Sequence, residues 1–288
     1  MAPSIRRALL TSCAVVLFLL LAGATYQGVA TALERHRFPH PGRLIDVGGH
    51  QLHLHCEGNG APTVVLEAPA TAMSSAWAWV QKDLSKITRT CSYDRAGLGW
   101  SEAGDAPFTP GAVPIELNTL LASAAERGPY VVAGAELGAS YATLFAAKYP
   151  DDMAALVLVN PPGAFSSSSG PPTSKRLLSL SPWLARAGVL RAMRTFSMSA
   201  SRLPQPAAGE LGAFLNRPDH LTRAASELGM WNQTVAMADA ATLRKTLPLT
   251  QVEVEGSDRV ALLADRQNAQ DVTKAISKAV DSVRRTRR

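Results

Sequence analysis

Between two glycines, Gly134-Ala135-Glu136-Leu137-Gly138 sets a carboxylate directly after the apolar run Tyr130-Val131-Val132-Ala133. Glycines at this spacing let a chain leave a strand and turn sharply around the central residue. A carboxylate held there has two chemistries open to it, attack on carbon to form an ester intermediate or activation of a water. Either one needs a partner. The six histidines are His36, His40, His50, His53, His55 and His220, so the chain beyond residue 220 has no imidazole. Asp258, in Val252-Glu253-Val254-Glu255-Gly256-Ser257-Asp258-Arg259-Val260, is the candidate acid of the closing segment. His53 and His55 share one face of a strand, with His50 nearby, and paired imidazoles suit zinc. Leu52 and Leu54 on the alternate face favour the ordinary reading, a half-exposed antiparallel strand with its leucines in the core. No metal and no cofactor is expected.

The elements that must position Glu136 are written on both sides of it. Upstream stand His50-Gln51-Leu52-His53-Leu54-His55-Cys56-Glu57-Gly58, Pro62-Thr63-Val64-Val65-Leu66-Glu67 and Tyr93-Asp94-Arg95-Ala96-Gly97-Leu98-Gly99-Trp100-Ser101. Downstream come Tyr149-Pro150-Asp151-Asp152 and Leu156-Val157-Leu158-Val159. Together these segments resemble the α/β-hydrolase family continuously over roughly residues 43–163, with a weaker return near the C-terminus. The resemblance implies an α/β fold with a mostly parallel central sheet flanked by helices. It also implies a helical lid insertion over about residues 161–247. In that family the pentapeptide is the Gly-x-Ser-x-Gly nucleophile elbow. Here Gly134 and Gly138 remain and Glu136 stands in place of the serine.

Carried over role by role, the family's site is altered throughout. Ser140, four residues past Glu136, falls on the helix that follows and does not substitute for the missing nucleophile. The family's histidine follows its last strand, and the closing segment can be matched either to the acid-bearing strand, with Asp258 as the acid, or to the histidine-bearing one. No base is present under either match, and His220 lies in the lid region. The oxyanion donors fall at the amides of Leu137 and of Ala70, in Glu67-Ala68-Pro69-Ala70. Pro69 has no amide hydrogen and cannot imitate the glycine usual in that loop. One lost oxyanion donor typically costs about 100- to 1,000-fold in rate. Asn160 stands where relatives often carry aspartate. Four altered roles on one scaffold are most simply explained by absent catalysis. The expectation is a binding or structural module for a small apolar ligand or a protein partner. The alternative is a hydrolase of esters or similar small apolar substrates that uses Glu136 with Asp258, or a water activated by Glu136.

The rest of the chain bears on where such a protein works. Its 288 residues hold one α/β domain of ample core over 43–288, a linker over 31–42 and an N-terminal apolar segment within 1–30. Arg6 and Arg7 precede the run from Ala8 to Tyr26, 19 residues without a formal charge. That length reaches the range of about 17 to 25 needed to span a bilayer and exceeds most signal-peptide cores. An uncleaved anchor with the domain exported is favoured, and cleavage near Ala22-Gly23-Ala24, giving a secreted or periplasmic protein, is the alternative. The resemblance makes the strands of Cys56 and Cys91 neighbours, so the two residues form either a disulfide or a pair of buried thiols. Asp94 and Arg95 are expected to pair with each other and hold their loop. Trp183-Leu184, Val189-Leu190, Met193, Phe196, Met198, Phe214 and Met230-Trp231 give the lid an apolar set suited either to a hydrophobic ligand or to its own packing. Ser166-Ser167-Ser168-Ser169-Gly170-Pro171-Pro172 reads as a surface linker. The net charge of +6 owes much to Arg284-Arg285-Thr286-Arg287-Arg288. Without interleaved aromatics it makes no case for nucleic acid.

Overall fold

A computed structural model of the chain describes residues 3–163, 175–193, 200–255 and 262–286. Seven strands form one sheet in the order β1-β2-β4-β3-β5-β6-β7. Their ranges are β1 Arg43–Asp46, β2 Gln51–Glu57, β3 Val64–Glu67, β4 Thr90–Tyr93, β5 Tyr130–Ala135, β6 Met153–Val159 and β7 Leu249–Val252. The β1-β2 and β2-β4 pairings are antiparallel and the others parallel. β3 and β5 are buried at every position, as expected of parallel strands covered on both faces. The apolar core is accordingly double. One layer sets Val64, Leu66, Val131 and Val157 against Trp77 and Ile276, and the other sets Val65, Val132, Leu156 and Leu158 against Leu120 and Phe145.

Ten helices among the described residues surround this sheet. They are α1 Pro3–Arg37, α2 Ala78–Leu84, α3 Ala112–Ser123, α4 Leu137–Lys148, α5 Lys175–Arg186, α6 Val189–Ala192, α7 Ala207–Phe214, α8 Pro218–Gly229, α9 Trp231–Asp239 and α10 Arg266–Thr286. α10 buries Val272, Ile276, Ala279 and Val283, a helical spacing that lays one stripe on the sheet. Arg284, in its last turn, donates to Ala61 O at 2.9 Å and Ile87 O at 3.0 Å. α5 to α9 lie between β6 and β7, in the segment expected to form a lid. The Ser166–Pro172 stretch, Phe196 and Met198 lie outside the described residues.

Two expectations change here. The linker expected over 31–42 is helical through Arg37, because α1 continues past its apolar run into Ala32-Leu33-Glu34-Arg35, residues with no helix breaker. At 1.5 Å per residue this single helix of 35 residues is roughly 52 Å long, and its apolar part is long enough to cross a membrane. α1 is also docked on the helices between β6 and β7. Gln27 donates to Asn216 O at 2.9 Å, and Arg191 bridges Gln27 and Glu34. A Cβ on Gly23 would lie 2.0 Å from Ala187 O, so only glycine lets the α5-α6 turn come this close. The second change is at His53, which is fully buried rather than half-exposed because Asp94 lies behind it.

Candidate functional site

The elbow keeps its backbone. Glu136 sits between β5 and α4 at φ 53° and ψ −122°, and a non-glycine residue in that region of backbone space carries about 1–3 kcal/mol of strain. Its amide donates to Val159 O at 2.8 Å, and its carbonyl accepts from Ala139 N at 2.9 Å. Both glycines are sterically required. A Cβ on Gly134 would lie 2.3 Å from Gly138 O, and one on Gly138 would lie 2.4 Å from Ala68 O. Ser140 lies inside α4 and is buried.

The Glu136 carboxylate turns toward the loop after β3, where its Oε2 accepts the amide of Ala70 at 3.3 Å. The residue is 5% exposed. Ala70 and Leu137, the two expected oxyanion positions, stand on either side of it and join an apolar cluster closed by Leu228 of α8 and Trp231 of α9. The structure thus brings together Glu136, Ala70, Leu137, Gly134 and Gly138. Asp258 falls outside the described residues, so its place relative to Glu136 is not described.

Histidine does not join this group. His220 is buried on α8, its Nδ1 accepting Gly99 N at 3.0 Å and its Nε2–H donating to Thr71 O at 2.8 Å. Burial pushes its pKa below the ordinary histidine value despite the bond to Thr71, so the ring is a neutral strut between two loops. His53 is committed in the same way. Its Nδ1 donates to Asp94 at 3.0 Å and its Nε2 accepts Gly42 N at 3.1 Å. Among the described residues the only cluster offering three metal-ligand atoms is Cys56, Cys91 and Glu126, whose two sulfurs are bonded to each other. The bonded pair is directly opposed across the β2-β4 ladder. Asn160, at the end of β6, forms a two-bond clasp with Val254, both contacts at 2.8 Å, and so holds the chain that leaves β7.

The expected Asp94-Arg95 pair does not form, since adjacent loop residues point apart. Asp94 accepts Ser74 N at 2.6 Å and Trp100 N at 3.0 Å besides His53. Burial opposes its ionisation, but His53 and these amides outweigh it and hold its pKa below the ordinary value. Arg95 instead enters a charged network under the loop that follows β3. It donates twice to Glu227 of α8 at 2.8 Å, to Glu67 at 2.6 Å, to Ala68 O at 2.8 Å and to Pro69 O at 3.1 Å. Glu67 also accepts the Tyr93 hydroxyl, and Arg223 adds a 3.3 Å bond to Glu227. Burial raises the Glu67 pKa against the pull of Arg95, whereas the two arginines outweigh burial at Glu227 and lower it. Sequence reasoning passed over this network. Its readable signals were a charged Glu67 ending a buried strand and Arg223 spaced four residues from Glu227.

No family model matches the chain. Among curated proteins it is 28% identical over 193 residues to an uncharacterized protein of Schizosaccharomyces pombe, covering 56% of this chain and 36% of that one. It is 32% identical over 120 residues to the uncharacterized YqjL of Bacillus subtilis, covering 41% and 47%. An uncharacterized vacuolar membrane protein of Saccharomyces cerevisiae is 34% identical over 88 residues, covering 30% and 14%. The chain therefore spans less than half the length of these relatives. Among solved structures, the Cif epoxide hydrolase of Acinetobacter nosocomialis superposes with a TM-score of 0.68 at 13% identity, over 89% of this chain and 96% of that one. A membrane phospholipase A superposes with a TM-score of 0.60 at 16% identity, over 99% of both chains. At these identities the likeness is one of fold.

Proposed function

From an α/β-hydrolase fold whose elbow bears a carboxylate, we propose that this chain is a membrane-anchored, non-hydrolytic member of that fold, retained as a binding or structural module. The observation that carries the reading is the bond between Glu136 Oε2 and the Ala70 amide. An acyl-transfer site must keep such a donor free for the oxyanion that develops in the transition state. Here the elbow's own side chain takes it, and the carboxylate adds like charge. Two unit charges about 4 Å apart at an effective dielectric constant of about 20 oppose each other by about 4 kcal/mol. Pro69 offers no replacement amide, and His220 has both nitrogens engaged by backbone. The anchor rests on α1, which supports membrane association. The contact of Gly23 with Ala187 lies inside the candidate cleavage site and favours an uncleaved helix.

The test is hydrolysis of p-nitrophenyl esters of graded chain length by the full-length chain in neutral detergent, beside Glu136→Ser and Glu136→Ala. The expected result is no turnover above the detergent blank in any of the three. Turnover by the unaltered chain that vanishes in Glu136→Ala makes Glu136 a working catalytic group and overturns the proposal. Resistance of the full-length chain to alkaline carbonate extraction checks the anchor separately.

A further inference from the structure

Where α1 meets the helices between β6 and β7, a cleft of about 970 Å³ opens, and Glu136 does not line it. Four arginines line it: Arg223 of α8, which is paired with Glu227, and three without an acidic partner, namely Arg35 in the last turn of α1, Arg186 at the end of α5 and Arg217 just before α8. Arg35 and Arg186 are exposed at the rim. Arg217 is only 5% exposed, yet its Nε and Nη2 have no hydrogen-bond partner. Its guanidinium carbon lies over the Phe214 ring, 3.7 Å from the ring centroid. Buried guanidinium donors left unmet cost stability, which is why such groups are usually paired.

Four acids share the cleft, namely Glu102, Asp105, Glu116 and Asp219; Asp105 is exposed, and the other three are engaged. Glu102 accepts Gln51 N at 2.8 Å, Glu116 faces His50 at 3.7 Å and Asp219 accepts His220 N at 2.9 Å. Among the described residues no carboxylate lies within ion-pair distance of Arg35, Arg186 or Arg217. Burial pushes the Arg217 pKa down; Asp219 and Glu34 oppose it, and Arg35 and Arg191 add smaller repulsions.

The cleft also lies at a defined height. The apolar run of α1 ends at Tyr26, and Arg35 is nine residues further on, about 13 Å along the axis. The α5-α6 turn touches α1 at Gly23, level with the end of that run. Beside it this segment leaves Leu180, Trp183 and Met193 more than half exposed, and Arg186 stacks on Trp183 at 5.1 Å. An exposed tryptophan and apolar neighbours next to a spanning helix suit the boundary of a bilayer, with arginines at headgroup level.

We propose that this cleft binds a phosphate-bearing anion, presented by the headgroup of an anionic phospholipid in the leaflet from which α1 emerges, with Arg217 as its floor and Arg35 and Arg186 as its rim. The proposal uses the membrane-anchored reading only for the source of the phosphate.

Thermal unfolding of the full-length chain in neutral dodecyl maltoside tests it. The micelles carry phosphatidylglycerol in one arm and phosphatidylcholine in another, a third arm contains inorganic phosphate, and sodium chloride equalises ionic strength. The expected result is a rise of about 5 °C with phosphatidylglycerol, none with phosphatidylcholine, and loss of the rise in Arg217→Met. If Arg217→Met does not fold, Arg186→Gln at the exposed rim takes its place and should at least halve the shift. A rise with inorganic phosphate alone that depends on Arg217 supports the anion site and assigns it to a soluble ligand. Equal shifts with both lipids, no shift in any arm, or a shift that persists in the variants overturns the site. None of these readings needs a bilayer, so failure of the anchor appears independently in carbonate extraction.

Discussion

α8 has two ends, and each meets an arginine. Near its C-terminal end Glu227 receives Arg95, whose guanidinium makes five hydrogen bonds to carboxylates and carbonyls. At its N-terminal end stands Arg217, equally hidden from solvent, with two nitrogens unmet. A buried charge completed by its own chain is there to hold the fold, and one left incomplete is stabilised only when something else arrives. By this criterion the charges beside the elbow are completed by the chain itself, and the unmet charge lies at the junction with α1.

The largest effect should come from breaking the completed end. Arg95→Met strands Glu67 and Glu227 in the core, and removing one partner of such a group costs about 3–5 kcal/mol. The expected melting temperature falls by roughly 10 °C, read by circular dichroism. Adding Glu67→Gln and Glu227→Gln to the same chain should recover part of the loss. An Arg95→Met protein that melts with the unaltered chain would erase the contrast. Next in size is the Cys56-Cys91 disulfide, which closes a loop of 35 residues. Reduction with dithiothreitol should cost about 3 kcal/mol in the same assay, and a melt indifferent to reductant would count against the bond.

How much of this could be read from the chain differs between the two ends for a physical reason. Local signals made the elbow legible. An apolar strand, two glycines and a helical pattern follow one another over Tyr130–Lys148, and the positive φ at Glu136 is what those glycines accommodate. The sheet was legible from its buried runs of Val, Leu and Ala. Ion pairs were not, because a side chain's direction depends on the finished loop. Asp94 and Arg95 were expected to pair with each other, whereas Asp94 turns to His53 and Arg95 reaches Glu227, 132 residues away in sequence. Arg217 was invisible for the same reason. Nothing local distinguishes an unmet arginine from a solvated one.

A smaller effect separates strut from base at His220. Its folded pKa lies below the unfolded value, so the unfolded chain takes up the proton first as pH falls. The stability it contributes is therefore complete above the unfolded value of about 6.5 and is lost as pH drops from there toward the folded pKa. Asp94, also depressed, follows the carboxylate pattern, its contribution being present above about pH 4 and lost below it. Urea titrations from pH 8 to 3 should show two separate declines. His220→Gln should flatten the upper one and leave the lower one in place. An unchanged upper slope would mean that another group titrates there.

The smallest expected effect is the most discriminating. Without lipid, Arg217→Met gives up a stacking contact with Phe214, a loss of about 0.5–1 kcal/mol at exposed sites and more when desolvated. It also removes two unmet donors, a relief of about 1–3 kcal/mol. The two nearly cancel, so the melting temperature in neutral detergent should stay within about 2 °C of the unaltered chain or rise. Arg95→Met, the same substitution at the other end of α8, should do the opposite. A fall at Arg217 as deep as that at Arg95 would mean that Arg217 stabilises its own fold, and the unmet donors would then say nothing about a ligand.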